Sequence, residues 1–356
     1  MNDALLDIRA GPVARQYIER QGLTPTAVRA VAGAAGGPKW LILGNLDRWL
    51  FGDWLHGAGP TVELVGSSIG AWRFAMACSP SHPAGCISQL ESAYIEQCYS
   101  AAPSRDEITQ TTRGILDGCL DETVLQGVLE HPRFRLTAIT ARSRGPAAAE
   151  GRLPLGIAGV AAATLNLIHR PWLGSLFERV LFQSPGARIQ VAADGIATSR
   201  VTLSRDNMAD AIYASGSIPM LMAGVRDPAG APRGCYRDGG IVDYHIDQPL
   251  IDDGIVLMPH FAGRVTPGWF DKWVQRQPRF TRRLLLVGPG PGLLARLPHG
   301  RVPDRQDFRR YAGHDDARIR DWRQAVGEGE RFADAFARAV DRQSLATLVR
   351  PLAMTH

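Results

Sequence analysis

Two stretches of this chain repeat one local pattern, and together they restrict its fold more than any other feature. Residues 28–32 are a short apolar run that enters Gly33-Ala34-Ala35-Gly36-Gly37-Pro38, and an apolar-periodic segment, 40–51, follows. Residues 62–65 are a second apolar, β-branched run. It enters Gly66-Ser67-Ser68-Ile69-Gly70, and the chain continues from Ile69 as a helix. A buried strand, a glycine turn and a helix in succession are the unit of a parallel sheet, because parallel neighbours need a crossover between them. The expected class is therefore α/β with a largely parallel sheet.

The remaining pattern is compatible with that class. Further strands are expected at 134–140, 189–191, 200–203, 235–237, 255–258 and 284–287, and helices at 5–22, within 86–130, and at 209–215. Residues 141–187 change character and read as a helical insertion. Within it, residues 171–182 carry a broad apolar face, which suits a buried helix, or a lid or acyl-channel helix that also touches membrane. From about residue 303 the chain is rich in Arg, Asp and Glu and ends in a helical segment, 303–356. With no internal repeat, the 356 residues read as one large domain.

Composition removes several classes of function. The net charge of +5 is mild, and the arginines are dispersed among acids, so a nucleic-acid partner is not expected. Five cysteines without C-x-x-C spacing read as reduced thiols of a cytoplasmic protein. The first 22 residues carry charges throughout and no apolar core of a signal peptide, and no run reaches the ~18 apolar residues of a membrane span. His314-Asp315-Asp316 lacks ligand spacing, so neither a metal nor an organic cofactor is expected.

The second turn carries the chemistry. Gly66-Ser67-Ser68-Ile69-Gly70 is a G-x-S-x-G with Ser68 at its centre, at a strand-to-helix junction where a nucleophile elbow belongs. The first turn offers the bare amides of Gly36 and Gly37, which with the amide of Ile69 suit the developing oxyanion of an acyl transfer. It matches neither glycine-rich nucleotide fingerprint. Two later blocks follow, AIYASGSIP at 211–219 and YRDGGIVD at 236–243, the latter with Asp238 just past a short strand.

In this order the four blocks, GGPK, G-x-S-x-G, AS-x-S-x-P and D-G-G, resemble the patatin-like phospholipase family over residues 28–258. The resemblance implies a three-layer α/β/α sandwich and a Ser-Asp dyad without a catalytic histidine. It makes Ser68 the nucleophile, Asp238 its acidic partner, and Gly36 and Gly37 the oxyanion loop, with Lys39 standing at the family's usual arginine. The expected substrate is a lipid or other acyl ester, with Lys39 and Trp40 at the substrate, and peripheral membrane contact is compatible with it. The chain departs from the family pattern at Trp40, where a glycine is usual, and after Asp238-Gly239-Gly240, where the loop to Pro249 is longer.

The residues leave three alternatives. His245, His260, His299 and His314 all follow Ser68 and are the candidates for a Ser-His-Asp triad. An acyltransferase would use the same acyl-enzyme with an alcohol in place of water. A silent lipid-binding protein would need neither Ser68 nor Asp238.

Overall fold

The structure, a computed structural model, describes residues 5–352. Its centre is a sheet of eleven strands. In chain order they are β1 (Leu6–Ala10), β2 (Val28–Gly33), β3 (Val62–Ser67), β4 (Phe134–Ser143), β5 (Phe177–Gln183), β6 (Thr198–Thr202), β7 (Val225–Arg226), β8 (Cys235–Asp238), β9 (Ile255–Pro259), β10 (Leu284–Pro289) and β11 (Arg350–Pro351). The order across the sheet is β11-β1-β10-β9-β2-β3-β4-β5-β6. The block from β10 to β4 is parallel throughout, as the two strand–turn–helix units require. Antiparallel pairing enters at β1 with β10 and at β4 with β5.

Neighbouring strand residues feed two separate cores. Leu64, Leu257 and Leu285 enter one apolar cluster, while Val65, Met258 and Leu286, each one position on, enter the other. A sheet whose two faces are both buried needs a layer on each side, which makes the fold a three-layer α/β/α sandwich. On the first face lie α1 (Pro12–Gln21), α2 (Gly44–Trp49), α3 (Ile69–Ala77), α4 (Pro83–Glu96), α5 (Arg105–Cys119), α6 (Glu122–Glu130) and α8 (Met208–Ser215), with the long helix Asp315–Asp341 beyond. The second face is covered by α7 (Arg152–Ile168) and the loops between β8 and β10.

Three expectations change. Residues 5–22 are not one helix. Leu6–Ala10 alternates buried and half-buried positions as a strand against β10, and the helix starts only at Pro12. Residues 171–182 are not a helix either. A short 3₁₀ turn, Arg170–Ser175, leads into β5, whose seven residues are all buried between β4 and β6. A strand covered on both faces has no alternation and mimics a buried helix in sequence. The insertion thus contributes one true helix, α7. Residues 189–191 lie outside the strands. The expected C-terminal segment contains the 27-residue helix Asp315–Asp341, and residues 353–356 lie outside the described range.

Candidate active site

Strand register brings Ser68 and Asp238 together across 170 residues of chain. The edge of β4 first pairs with β3, ending at Ser67 opposite Ile139. The next residue of β4, Thr140, pairs with Asp238 at the end of β8, which runs antiparallel to β4. So β3 and β8 meet end to end on one edge of one strand. Ser68 leaves the first end and Asp238 closes the second.

Ser68 sits on a strained turn. Its φ of 56° and ψ of −129° lie in a region that side chains other than glycine avoid. The helix that follows lies so close to β2 that a Cβ on Gly70 would come within 2.1 Å of the Gly33 carbonyl oxygen. The serine is therefore pinned between a strand and a helix that cannot separate. Ser68 Oγ donates to Asp238 Oδ2 at 2.9 Å, and both residues are buried. The Gly240 amide donates to the other carboxylate oxygen, Oδ1, at 2.7 Å, which fixes the plane of the carboxyl group.

The block at 211–219 supports both partners. Ser215 Oγ accepts from the Ser68 amide at 2.9 Å and donates to the Ile139 carbonyl at 2.7 Å. The Ser217 carbonyl accepts from the Asp238 amide at 2.9 Å. Ser215 ends α8 and the Ser217 carbonyl follows two residues on, which lets one turn hold both Ser68 and Asp238. Their supporting roles were not legible in the motif alone.

Gly36, Gly37 and Ile69 are buried residues, and no hydrogen bond from their amides is found among the described residues. Ile69 opens α3, so its N–H has no carbonyl one turn back to reach. Gly37 has a φ of +55°, a left-handed conformation that suits glycine. Buried amides are nearly always satisfied, so a loop with such free donors beside a serine is suited to an anionic oxygen.

Burial pushes the Asp238 carboxyl above the ordinary carboxylate range, against the opposing pull of the Arg305 charge, the Gly240 amide, Ser68 and Lys272. A carboxylate that holds protons more tightly is the stronger base. No described histidine bonds to either member of the pair. His245 Nδ1 accepts from the Thr266 amide at 2.9 Å and lies 3.1 Å from His260 Nε2. Burial lowers the pKa of both rings, His260 to about 3, which favours their neutral forms. Asp243 is held by Arg179, and Asp247 by the amides of Arg279 and Phe280.

An apolar cavity of about 400 Å³ opens beside Asp238, within the range of small-ligand sites. Its wall includes Leu155, Ala158 and Ala163 of α7, Phe177, Ile241 and Phe270, with Asp238, Arg237 and Arg305 as its charged groups. Trp40 is not part of that wall. Its ring is fully buried on the other side of the loop, edge-on to Tyr94 with centroids 5.9 Å apart, which corrects the expected place at the substrate. Lys39 is half-buried, and its Nζ lies 5.2 Å from the ring centre of Phe261. The described residues contain no group of three or more His, Cys, Asp or Glu side chains able to hold a metal ion. They also contain no helix long and apolar enough to cross a membrane.

No protein-family model matches the chain, and no curated protein matches it in sequence. Among solved structures, the chain is similar to human GIVD cytosolic phospholipase A2, with 11% identity and a TM-score of 0.39. The match covers 94% of this chain and 62% of that one, so the chain spans less than two thirds of that protein's length. At this level of likeness, any functional reading rests on the geometry of the site.

Proposed function

We propose that the protein is a serine hydrolase that cleaves carboxylic esters of lipids or other acyl compounds through an acyl-enzyme on Ser68. The observation that carries this reading is the 2.9 Å contact from Ser68 Oγ to Asp238 Oδ2 at the edge of an apolar cavity. Ser68 Oγ attacks the ester carbonyl carbon as its proton passes to Asp238 Oδ2. The amides of Gly36, Gly37 and Ile69 carry the charge of the tetrahedral oxygen. Collapse breaks the ester C–O bond, and Asp238 returns the proton to the leaving alcohol. Water then gives its proton to Asp238 and attacks the acyl carbon, and that proton returns to Ser68 as the free acid leaves.

The cavity wall supports an acyl chain as the occupant, since its lining is apolar apart from Asp238, Arg237 and Arg305. The surface around its mouth supports contact with a lipid surface. Leu153 and Val160 of α7 are 77% and 71% exposed, and Trp273 across the mouth is 64% exposed. Met220, Trp269, Trp273 and Val160 belong to both the cavity wall and this exposed apolar rim. Apolar surface continuous with a pocket is expected where substrate enters from an apolar phase. We read the described chain as a single hydrolase domain, because one sheet joins its first and last strands.

Labelling with a fluorophosphonate probe tests the reading, together with turnover of p-nitrophenyl esters from C2 to C16. Covalent capture at Ser68, lost in Ser68→Ala, is the expected result. A folded protein that neither labels nor turns over any ester refutes it.

A further inference from the structure

The chain holds 40 lysines and arginines, of which only Lys39 and Lys272 are lysine, and the fold brings both to the candidate site. Arg305 joins them there. Its side chain lies over the first glycine turn, where Nε would be 2.9 Å from a Cβ on Gly37, and it lines the cavity with Asp238. Lys39 Nζ faces the ring of Phe261, and that ring covers Gly36, where a Cβ would be 2.5 Å away. Lys272 Nζ lies 3.8 Å from the ring centre of Tyr244, another residue of the cavity wall. Tyr244 is tied to the same turn, because its carbonyl accepts from the Ala35 amide at 2.8 Å.

These three cations have no ion-pair partner among the described residues, and the nearest acids in sequence are engaged elsewhere. Asp271, beside Lys272, is held by Arg170, Arg276 and Asn166. Asp304, between Lys39 and Arg305 in its influence, is paired with Arg301 at 3.2 Å. Half-buried like charges held together with no acid in direct contact are costly, and Asp238 and Asp304 offset them only from beyond ion-pair distance. Burial and the charges of Lys39 and Arg305 push the Lys272 ammonium down to about 7, which records that cost. The hydrogen bonds of Asp238 are made by Ser68 and Gly240, and Arg305 and Lys272 act on it only through their charge.

We propose that Lys39, Lys272 and Arg305 form an anion subsite beside the Ser68–Asp238 pair, so that the protein selects acyl esters carrying a phosphate or carboxylate group over neutral ones. This rests on the hydrolase reading for its ester, but the anion site is testable without turnover. Two of its residues, Lys272 in the 3₁₀ turn Trp269–Lys272 and Arg305, are distant from Ser68 and Asp238 in sequence.

Binding to the Ser68→Ala protein, measured by titration calorimetry, separates the two claims. The probes are octyl phosphate, octanoate and octanol, which share one chain and differ in the head. Octyl phosphate or octanoate should bind at least about tenfold more tightly than octanol, since a partly buried charge pair is worth about one power of ten. The stronger of the two identifies the anionic group. Lys272→Gln and Arg305→Gln, each added to Ser68→Ala, should remove most of that preference, while Lys272→Arg should retain it. Equal binding of all three probes overturns the subsite even if the wild-type protein hydrolyses esters. A retained preference in both glutamine variants, with unchanged melting, overturns the assignment to these residues. Anion preference without any ester turnover in the wild type leaves the subsite standing and refutes the hydrolase.

Discussion

Replacing Ser68 by glycine and by alanine should order two inactive proteins in an unusual way. Both substitutions remove Oγ and its bond to Asp238, so that loss cancels in the comparison. Alanine keeps a Cβ at φ 56° and ψ −129°, and glycine does not. A side chain held in such a region costs about 1–3 kcal/mol. Glycine loses more backbone entropy on folding, by about 0.5–1 kcal/mol relative to alanine. The difference predicts that Ser68→Gly is more stable than Ser68→Ala by up to about 2.5 kcal/mol, against the usual order. Guanidinium unfolding followed by the fluorescence of the eight tryptophans reads this directly, as a shift of midpoint at unchanged slope. Ester turnover should fall at least about 10³-fold in both. An alanine variant more stable than the glycine one by the usual ~0.5–1 kcal/mol would show that the elbow is unstrained, and that Ser68 is not held on its turn by force from β2 and α3.

Asp238→Asn should lower ester turnover by about 10³-fold, with no further loss when Ser68→Ala is added, because the two act as one unit. The same substitution should raise the melting temperature at neutral pH. The folded pKa of Asp238 lies above its unfolded value, so the stability it contributes is full below the unfolded pKa and falls as pH rises through the folded one. At neutral pH its charge is a cost that asparagine removes, and a lower melting temperature would refute this. On the acid side, kcat/KM should fall as Asp238 gains its proton, at a pH above the ordinary carboxylate range. Arg305→Gln should move that limb to higher pH, since the Arg305 charge holds the Asp238 pKa down. An unmoved limb in that variant would place Arg305 away from Asp238.

Much of the site was legible because its parts are local. The turn at Ser68 needs small residues where strand meets helix, and Gly66 and Gly70 stand there in the sequence itself. Asp238 before two glycines is local too: the Gly240 amide that orients it is two residues away. The two serines at 215 and 217 were visible as a block, but their bonds to Ser68 and Asp238 depend on where α8 ends. Trp40 shows the opposite case. Its position after Lys39 suggested a place at the substrate, but the 3₁₀ turn Gly37–Leu43 rotates it into the core against Tyr94.

The sequence by itself determined the α/β class and the two strand–turn–helix units, because each follows from periodicity and turn chemistry within about ten residues; it singled out Ser68 at the centre of G-x-S-x-G, and Asp238 through the resemblance of four blocks taken in order. Only the tertiary structure decided that Leu6–Ala10 is a strand, since its partner β10 lies nearly the whole chain away. It also decided that Phe177–Gln183 is a strand, because its burial on both faces erases the alternation that would have marked it. The meeting of Ser68 with Asp238 on the edge of β4, and of Arg305 with the glycine turn at Gly37, is of the same kind. Strand register and loop packing bring those groups together, and neither is written in the spacing of residues along the chain.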